Sequence, residues 1–325
     1  ARTITITNNS GSTVTIGSVS APSPSLPSGT TVDTSQANAC VPGLALANGG
    51  ICTLTIAPGS TVSTGAGSAL CTTGIAPTPS AITVMDSNSN IVTVNVVVLG
   101  YGCQYQGGYL FSIDDTTPAI GSIGGKVAAS QDQAHESQNT IFWSPNFAFD
   151  SIWGIAQVST TTTPIPNASY FQPAALHSDQ LNCNGSTDGA CDSNNMIQFY
   201  VAGTSYSAWF CAQPIDSIGN SPCSTGTCYT DWYLPAICEM GYDTVGLNSG
   251  CGVPPAAPLL QNMQSNLVDN GNIGSLTGNY WSSTETSSPL DNAWFEFFAS
   301  SGGSAQRTSD KSYSYSIRCS RALTL

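Results

Sequence analysis

Twelve cysteines stand out in this chain of 325 residues. A thiol can serve as nucleophile, metal ligand or half of a disulfide, and its surroundings separate the three roles. They occupy positions Cys40, Cys52, Cys71, Cys103, Cys183, Cys191, Cys211, Cys223, Cys228, Cys238, Cys251 and Cys319. Cys223 and Cys228, followed by Cys238, imitate part of a zinc site. The second close pair that structural zinc sites use is missing. An even count in a chain nearly devoid of Lys and Glu fits disulfides made in an oxidising, extracytoplasmic compartment. The two histidines, His135 and His177, do not stand at metal-ligand spacing. No HExxH, GxSxG or P-loop pattern is present. Asp114 and Asp115 are adjacent carboxylates at a strand end. Neighbouring strand residues face opposite sides, so a joint acid/base role needs a bend there. Asp188 and Asp192 read as loop carboxylates within reach of a cation. The expectation is a protein with no catalytic residue, no metal and no cofactor.

The composition sets bounds on what these residues can serve. Charged residues make up only 8% of the chain, six basic and nineteen acidic, for a net charge of −13. Six cations cannot neutralise a nucleic-acid backbone, and the net charge opposes anionic lipid. Forty per cent of the chain is hydrophobic, enough for a sizeable core. The longest apolar run, Ile91 to Leu99, is far shorter than a membrane-spanning helix and is interrupted by Thr93 and Asn95. The chain opens directly on a strand-like segment, so it is expected to be a mature secreted form after signal-peptide removal.

The charge is unevenly placed. Residues 1–102 contain only Arg2, Asp33 and Asp86. The shift, together with the segment Tyr101 to Gly108, marks a domain boundary near residue 103. Domains are therefore expected at 1–102 and 103–325. The first reads as all-β. Thr3-Ile4-Thr5-Ile6-Thr7 alternates with period two, Asn8 to Gly11 turns, and Thr13 to Ile16 resumes. Cys52 to Ile56, Ala81 to Met85 and Ile91 to Leu99 are further strands, separated by Pro and Gly clusters. Short strands with frequent turns predict an immunoglobulin-like sandwich. The second domain reads as α+β with long loops. Its strands are expected at Gly107 to Asp114, Gly124 to Ser130, Tyr280 to Ser283, Ala293 to Phe298 and Ser314 to Arg321. Its helices are expected at Ser205 to Pro214 and Leu234 to Met240. Short spacings favour the bridges Cys40–Cys52, Cys183–Cys191, Cys223–Cys228 and Cys238–Cys251. Cys71–Cys103 then follows by elimination among the first four cysteines. Sequence alone leaves the connectivity open.

The segment TITITNNSGSTVTIGSVS, followed by Cys40 and by GGICTLTIAPGS, resembles bacterial immunoglobulin-like surface domains. In those domains a strand usually precedes the TITIT-type segment, so one sandwich strand is expected to be missing here. The second domain resembles the C-terminal domain family of Lcl, a collagen-like adhesin. The matching pieces are GGYLFSID, GGKVAASQD (Gly124 to Asp132), Trp143, DWYLPAICEM (Asp231 to Met240), YWSSTE (Tyr280 to Glu285), AWFEFF (Ala293 to Phe298) and IRCSRAL (Ile317 to Leu323). The chain departs from that family at Tyr233, where Arg is usual, and in inserts around 157–200 and 215–228. The resemblance implies a C-type-lectin-like fold, and with it a long bridge Cys211–Cys319 between first helix and last strand. Trp232, Trp281 and Trp294 are then core residues, or sugar-stacking platforms where one stands exposed. The calcium signature of sugar-binding C-type lectins, EPN or QPD followed by WND, does not occur; Ser144 to Asn146 (SPN) is a poor substitute.

These readings converge on a secreted bacterial surface protein, structural or adhesive and not an enzyme. The expected partners are further copies of itself, forming a fimbria-like filament, or host and surface glycans and proteins. The nearly charge-free first domain favours contact with a partner, because few charges need to lose water. Thr3, Ile4, Thr5, Ile6 and Thr7 are the candidate subunit-interface strand, donated to a neighbouring sheet by strand exchange. The alternative is a monomeric lectin-like adhesin acting through the loops of the second domain. A less favoured third reading is a relative of the formylglycine-generating oxidases, which need reactive cysteines. Sequons occur at Asn8, Asn167 and Asn184, and in a bacterial protein they are expected to be bare. Ser159 to Thr163 is a candidate for O-glycosylation instead.

Overall fold

The alternation of Thr and Ile at the start of the chain does form a strand. The computed structural model describes residues 2–113, 122–134, 140–145, 150–152, 155, 183–200, 205–253, 261–287, 289, 291–300 and 302–324. The chain divides into two compact units, Ala1–Cys103 and Gln104–Leu325.

The first unit has seven strands: β1 (Arg2–Thr7), β2 (Val14–Val19), β3 (Thr31–Asp33), β4 (Ala45–Leu46), β5 (Ile51–Ala57), β6 (Ser80–Asp86) and β7 (Ile91–Val96). They make a three-stranded sheet in the order β1-β5-β3 and a four-stranded sheet in the order β4-β2-β6-β7. All the ladder pairings are antiparallel. Leu54 and Ile56 of one sheet share a buried core with Val14, Ile16, Ile82, Val84 and Val96 of the other. The unit is therefore a β-sandwich, with every second residue of each long strand turned inward. Burying four of these aliphatic side chains contributes on the order of 6–12 kcal/mol before entropy is charged against it. Strands β3 and β4 went unseen in the sequence because they span three and two residues, too few for a period to register.

The second unit contains β8 (Gln104–Tyr105), β9 (Gly108–Ser112), β10 (Ser122–Ala129), β11 (Ile141–Phe142), α1 (Gly189–Phe199), α2 (Ser207–Cys211), β12 (Ile215–Asp216), β13 (Cys228–Tyr229), α3 (Ile237–Met240), β14 (Gly278–Glu285), β15 (Asn292–Phe298), β16 (Ala305–Asp310), β17 (Ser314–Tyr315) and β18 (Ser320–Thr324). A π-turn covers Gln264–Val268. The larger sheets run β18-β10-β9-β8 and β14-β15-β16. Phe111 and Ala128 share a buried core with Met240, Met263, Leu267, Tyr280 and Phe298.

Three sequence expectations need correction here. Ser314 to Arg321 is not one strand but two, β17 and β18. Between them each residue finds a different partner: Ser316 bridges Tyr280, Ile317 bridges Ala134, and Cys319 is held by Cys211. The helix expected from Leu234 begins only at Ile237, because Pro235 disfavours helical backbone at the residue before it. Asp188 and Asp192 do not lie on a loop. They open α1, a helix the sequence did not announce because GACDSNNMIQF is rich in poor helix formers. Its start is fixed by the Asp188 side chain, which accepts from the Cys191 backbone N–H at 3.1 Å, and by the Cys183–Cys191 bridge.

Candidate functional site

Strand β1 pairs with β5 of its own unit over six positions, from Arg2↔Ile56 to Thr7↔Ile51. Ile4 and Ile6 pack against the core of the sandwich, while Thr3, Thr5 and Thr7 face solvent. Thr3, Ile4, Thr5, Ile6 and Thr7 are thus already in use within the chain. In the single chain this segment is the edge strand of its own sandwich, beside β5. Pairing in place satisfies the β5 backbone groups without the entropy cost of association.

What the sandwich leaves open lies beside that strand. Among the described residues β1 and β7 are each the outermost strand of their sheet. Between these two edges lies a groove of about 330 Å³, floored by Val14, Ile16, Leu46 and Val84 and walled by Ile6 and Val92. Val92, Val94 and Val96 share the inward face of β7, opposite Val84, Ile82 and Ser80 of β6. Val96 is 7% exposed, but Val92 is 43% exposed, so cover over this face is lost toward the start of the strand. Ile91, on the outward face, is 64% exposed. Asp86 at the rim is engaged by Asn88, by the Asn90 backbone and by the Asn90 side chain. The Asn90 side chain, followed by backbone N–H groups, holds its carboxyl below the usual range. The floor of the groove is apolar, while Thr7, Asn8, Asn9, Ser10 and Asn90 line it with polar groups and Asp86 is its single charge.

Asn8 sets the end of this groove. Its side-chain amide donates to Ser12 O at 2.8 Å, Leu46 O at 2.9 Å and Ala47 O at 3.1 Å. It is a buried turn residue, so the sequon at Asn8 has no free amide to modify. Asn184 is exposed. Asn167, His135, His177, Asp114, Asp115, Asn146 and Ser159 to Thr163 lie outside the described residues.

The cysteines are all paired. The bridges are Cys40–Cys52, Cys71–Cys103, Cys183–Cys191, Cys211–Cys319, Cys223–Cys228 and Cys238–Cys251. Each closes within one unit, and no free cysteine remains. Every cysteine sulfur is therefore in a disulfide, including the three that imitate a zinc site. Trp143, Trp232, Trp281 and Trp294 are buried, which assigns them to packing. Among the described residues no three His, Cys, Asp or Glu side chains gather at one point.

The second unit keeps its cations inside. Lys126 donates to Glu239 Oε1 at 2.7 Å, and the Tyr233 hydroxyl donates to the same oxygen at 2.9 Å. Glu239 Oε2 accepts from the Ala236 and Gly189 backbone N–H groups. Tyr233 thus serves as a hydrogen-bond donor to a carboxylate that Lys126 neutralises. Lys311 pairs with Glu285 and lies 4.5 Å from the Trp143 ring centroid. Arg318 pairs with Asp132, and Arg321 grips Asp231 through two nitrogens at 2.8 and 2.9 Å. Nothing in the sequence separates these buried pairs from ordinary surface charge, because their partners lie far apart along the chain.

No protein-family model matches this chain, and no curated protein matches it. Among solved structures, a fimbrial protein from Bacteroides ovatus ATCC 8483 is similar at 13% identity, with a TM-score of 0.36. The overlap covers 76% of this chain and 57% of that one. A TM-score of this size does not demonstrate a shared fold.

Proposed function

We propose that this is a non-enzymatic, extracytoplasmic surface protein whose N-terminal sandwich takes a β-strand from a second copy into the groove between β1 and β7. In this reading the sandwich is immunoglobulin-like and one strand short. The second unit is a C-type-lectin-like module displayed on the resulting polymer. The observation that carries the reading is Val92, an inward-facing core position left 43% exposed between two edge strands. Edge strands offer unpaired N–H and C=O groups, so an added strand gains main-chain hydrogen bonds while its alternate side chains fill the apolar floor. The occupant is best supplied by a second copy, because the acceptor unit has a net charge of only −1. Contacts made through it spare the acidic second units from being pressed together. Six disulfides and the absence of any free cysteine support an oxidising location and leave no thiol for catalysis.

The test is sedimentation velocity and negative-stain microscopy of the full chain over a concentration series, beside Val92→Lys. The expected result is concentration-dependent oligomers or filaments for the unaltered chain and monomers for the variant. A chain that stays monomeric at every concentration overturns the reading, as does a Val92→Lys variant that assembles equally well.

A receptor-binding reading is favoured by one other feature. The loop closed by Cys238–Cys251 exposes Val245 and Leu247, each about half accessible. It is stiffened by Asp243, which accepts from the Leu247 and Asn248 backbone N–H groups. Val245→Ser with Leu247→Ser would abolish surface adhesion without altering assembly if this loop is the contact. Unchanged adhesion removes it.

A further inference from the structure

Glu285 is the last residue of β14, and Lys311 follows the last residue of β16. These two strands flank β15 in one sheet. The two side chains therefore meet across the first residues of β15, where Glu285 stands opposite Ala293 and Asp310 opposite Asn292. Both are fully buried, and so is Asp150. Lys311 Nζ donates to Glu285 Oε1 and to the backbone carbonyl of Asp150. Glu285 Oε2 accepts from the Ile152 backbone N–H at 3.0 Å. The Trp143 ring covers the amine, and buried Tyr200 lies in the field of both the Asp150 and the Glu285 carboxyls.

An amine, a carboxyl carbon and a donor aimed at the second carboxyl oxygen thus share one dry pocket. A nitrogen hydrogen-bonded to a carboxyl oxygen lies about 3–3.5 Å from the carboxyl carbon, the separation of a near-attack geometry. Burial, with the charge of Asp150 behind it, raises the Glu285 carboxyl above its ordinary range against the opposing pull of Lys311 and the Ile152 N–H. This favours the protonated acid, whose carbon an amine can attack. The other buried lysine pair is built differently. Four donors surround the Glu239 carboxylate: Lys126, the Tyr233 hydroxyl and the Ala236 and Gly189 backbone N–H groups.

We infer that Lys311 and Glu285 condense to an intramolecular amide, a covalent staple between the two outer strands of the β14-β15-β16 sheet. Lys311 passes one ammonium proton to Glu285 Oε1, leaving a neutral amine and a carboxylic acid. The amine attacks Cδ, and the Nζ–Cδ bond forms. Negative charge gathers on Oε2, where the Ile152 N–H stabilises it. The Asp150 carboxylate takes a proton from the attacking nitrogen and returns it to Oε1. The Cδ–Oε1 bond then breaks and one water leaves. The product finds its hydrogen-bond partners already in place. The amide oxygen keeps the Ile152 N–H, and the amide N–H keeps the Asp150 carbonyl. Two charges vanish from an interior that holds them at a cost. The staple lies wholly in the second unit and does not depend on the strand-acceptor reading of the first.

The experiment is intact mass spectrometry of the full chain, made recombinantly in an oxidising compartment, folded, then fully reduced and denatured. The expected mass is that of the sequence less one water. A protease digest should yield a branched peptide that joins Glu285 to Lys311. Lys311→Arg keeps the charge but offers no amine nucleophile, so it should restore the full sequence mass. Folded Asp150→Asn should carry the link in only a small fraction of chains. If neither variant folds, the wild-type mass and the branched peptide decide the matter. A reduced chain at full sequence mass overturns the proposal and leaves a buried ion pair. A water loss that persists in Lys311→Arg, or that maps to other residues, overturns it as well. Complete linkage in Asp150→Asn overturns the role given to Asp150.

Discussion

Residues 1–103 carry three charged side chains, Arg2, Asp33 and Asp86, and none is buried. In residues 104–325, four of the five cations are buried in ion pairs, and only Arg307 is exposed. The first unit is held by aliphatic burial between two sheets and leaves an apolar groove open to solvent. The second is held by buried pairs and four disulfides and closes over them. The contrast teaches that low charge serves different ends in the two units. In the first it leaves a surface with little water to strip. In the second the few cations are spent as internal cross-links, which leaves the outside acidic. A buried pair is not a cheap source of stability, but removing one member is costly because the other stays behind uncompensated.

The strongest way to break this comparison is to cut the longest link in the second unit. Cys211–Cys319 closes 108 residues. Cys211→Ala with Cys319→Ala should cost the second unit on the order of 4–5 kcal/mol on the chain-entropy model, while the same change at Cys40 and Cys52 should cost the first about 3. Denaturant unfolding read separately for each unit decides. Equal costs would mean that the long bridge does not constrain the unfolded chain. Next in size is Lys311→Met. It strands Glu285 in the interior and removes the contact with Trp143, at a cost of about 3–5 kcal/mol. Arg2→Met in the first unit should change stability by no more than about 0.5 kcal/mol, because Arg2 is exposed. Calorimetry of both variants sharpens or erases the contrast.

The same difference explains what could be read in advance. TITIT was legible as a strand because one face is buried at every second residue, and the short-spaced cysteines pair as their spacing suggested. Which sheet edge the strand would join was not legible, because TITIT would serve a neighbour's sheet as well as its own. β16 escaped notice because AQRTSD has no apolar alternation, and its place comes from its register with β15. The groove was not legible, because its lining comes from residues of β1 and β7, which lie far apart along the chain.

A smaller effect tests the rigidity of the groove. Asn8→Ala removes four side-chain hydrogen bonds, the three donated to the Ser12, Leu46 and Ala47 carbonyls and the one accepted from the Ser10 backbone N–H. The expected cost is about 1–3 kcal/mol, confined to the first unit. Amide hydrogen exchange should quicken in β4 and at the end of β1. Exchange that stays unchanged there would mean the turn is fixed by its backbone bonds alone.

The finest distinction between the units lies in how stability follows pH. Asp33, exposed in the first unit, is held down to about 2 by hydrogen bonds from the Ser35 hydroxyl, the Gln36 amide and the Ser35 backbone. Its folded value lies below its unfolded one, so its contribution is present above the unfolded value near 3.8 and is lost as pH falls toward 2. Asp192, buried in the second unit, is shifted the other way. Burial pushes it well above the ordinary range, and the negative field of Asp188, Glu239 and Glu285 adds to this, while the Ser283 hydroxyl at 2.8 Å opposes it. Here the folded state holds its proton more tightly than the unfolded one. Its contribution is therefore complete below the unfolded value and fades as pH rises from about 4 through the folded value. From pH 2 to 4 the first unit should gain stability, and from pH 4 upward the second should lose it. Asp192→Asn should flatten the second slope and leave the first alone. Two slopes of the same sign, or a second slope unmoved by Asp192→Asn, would show that the interior carboxylates of the second unit are compensated as fully as the exposed ones of the first.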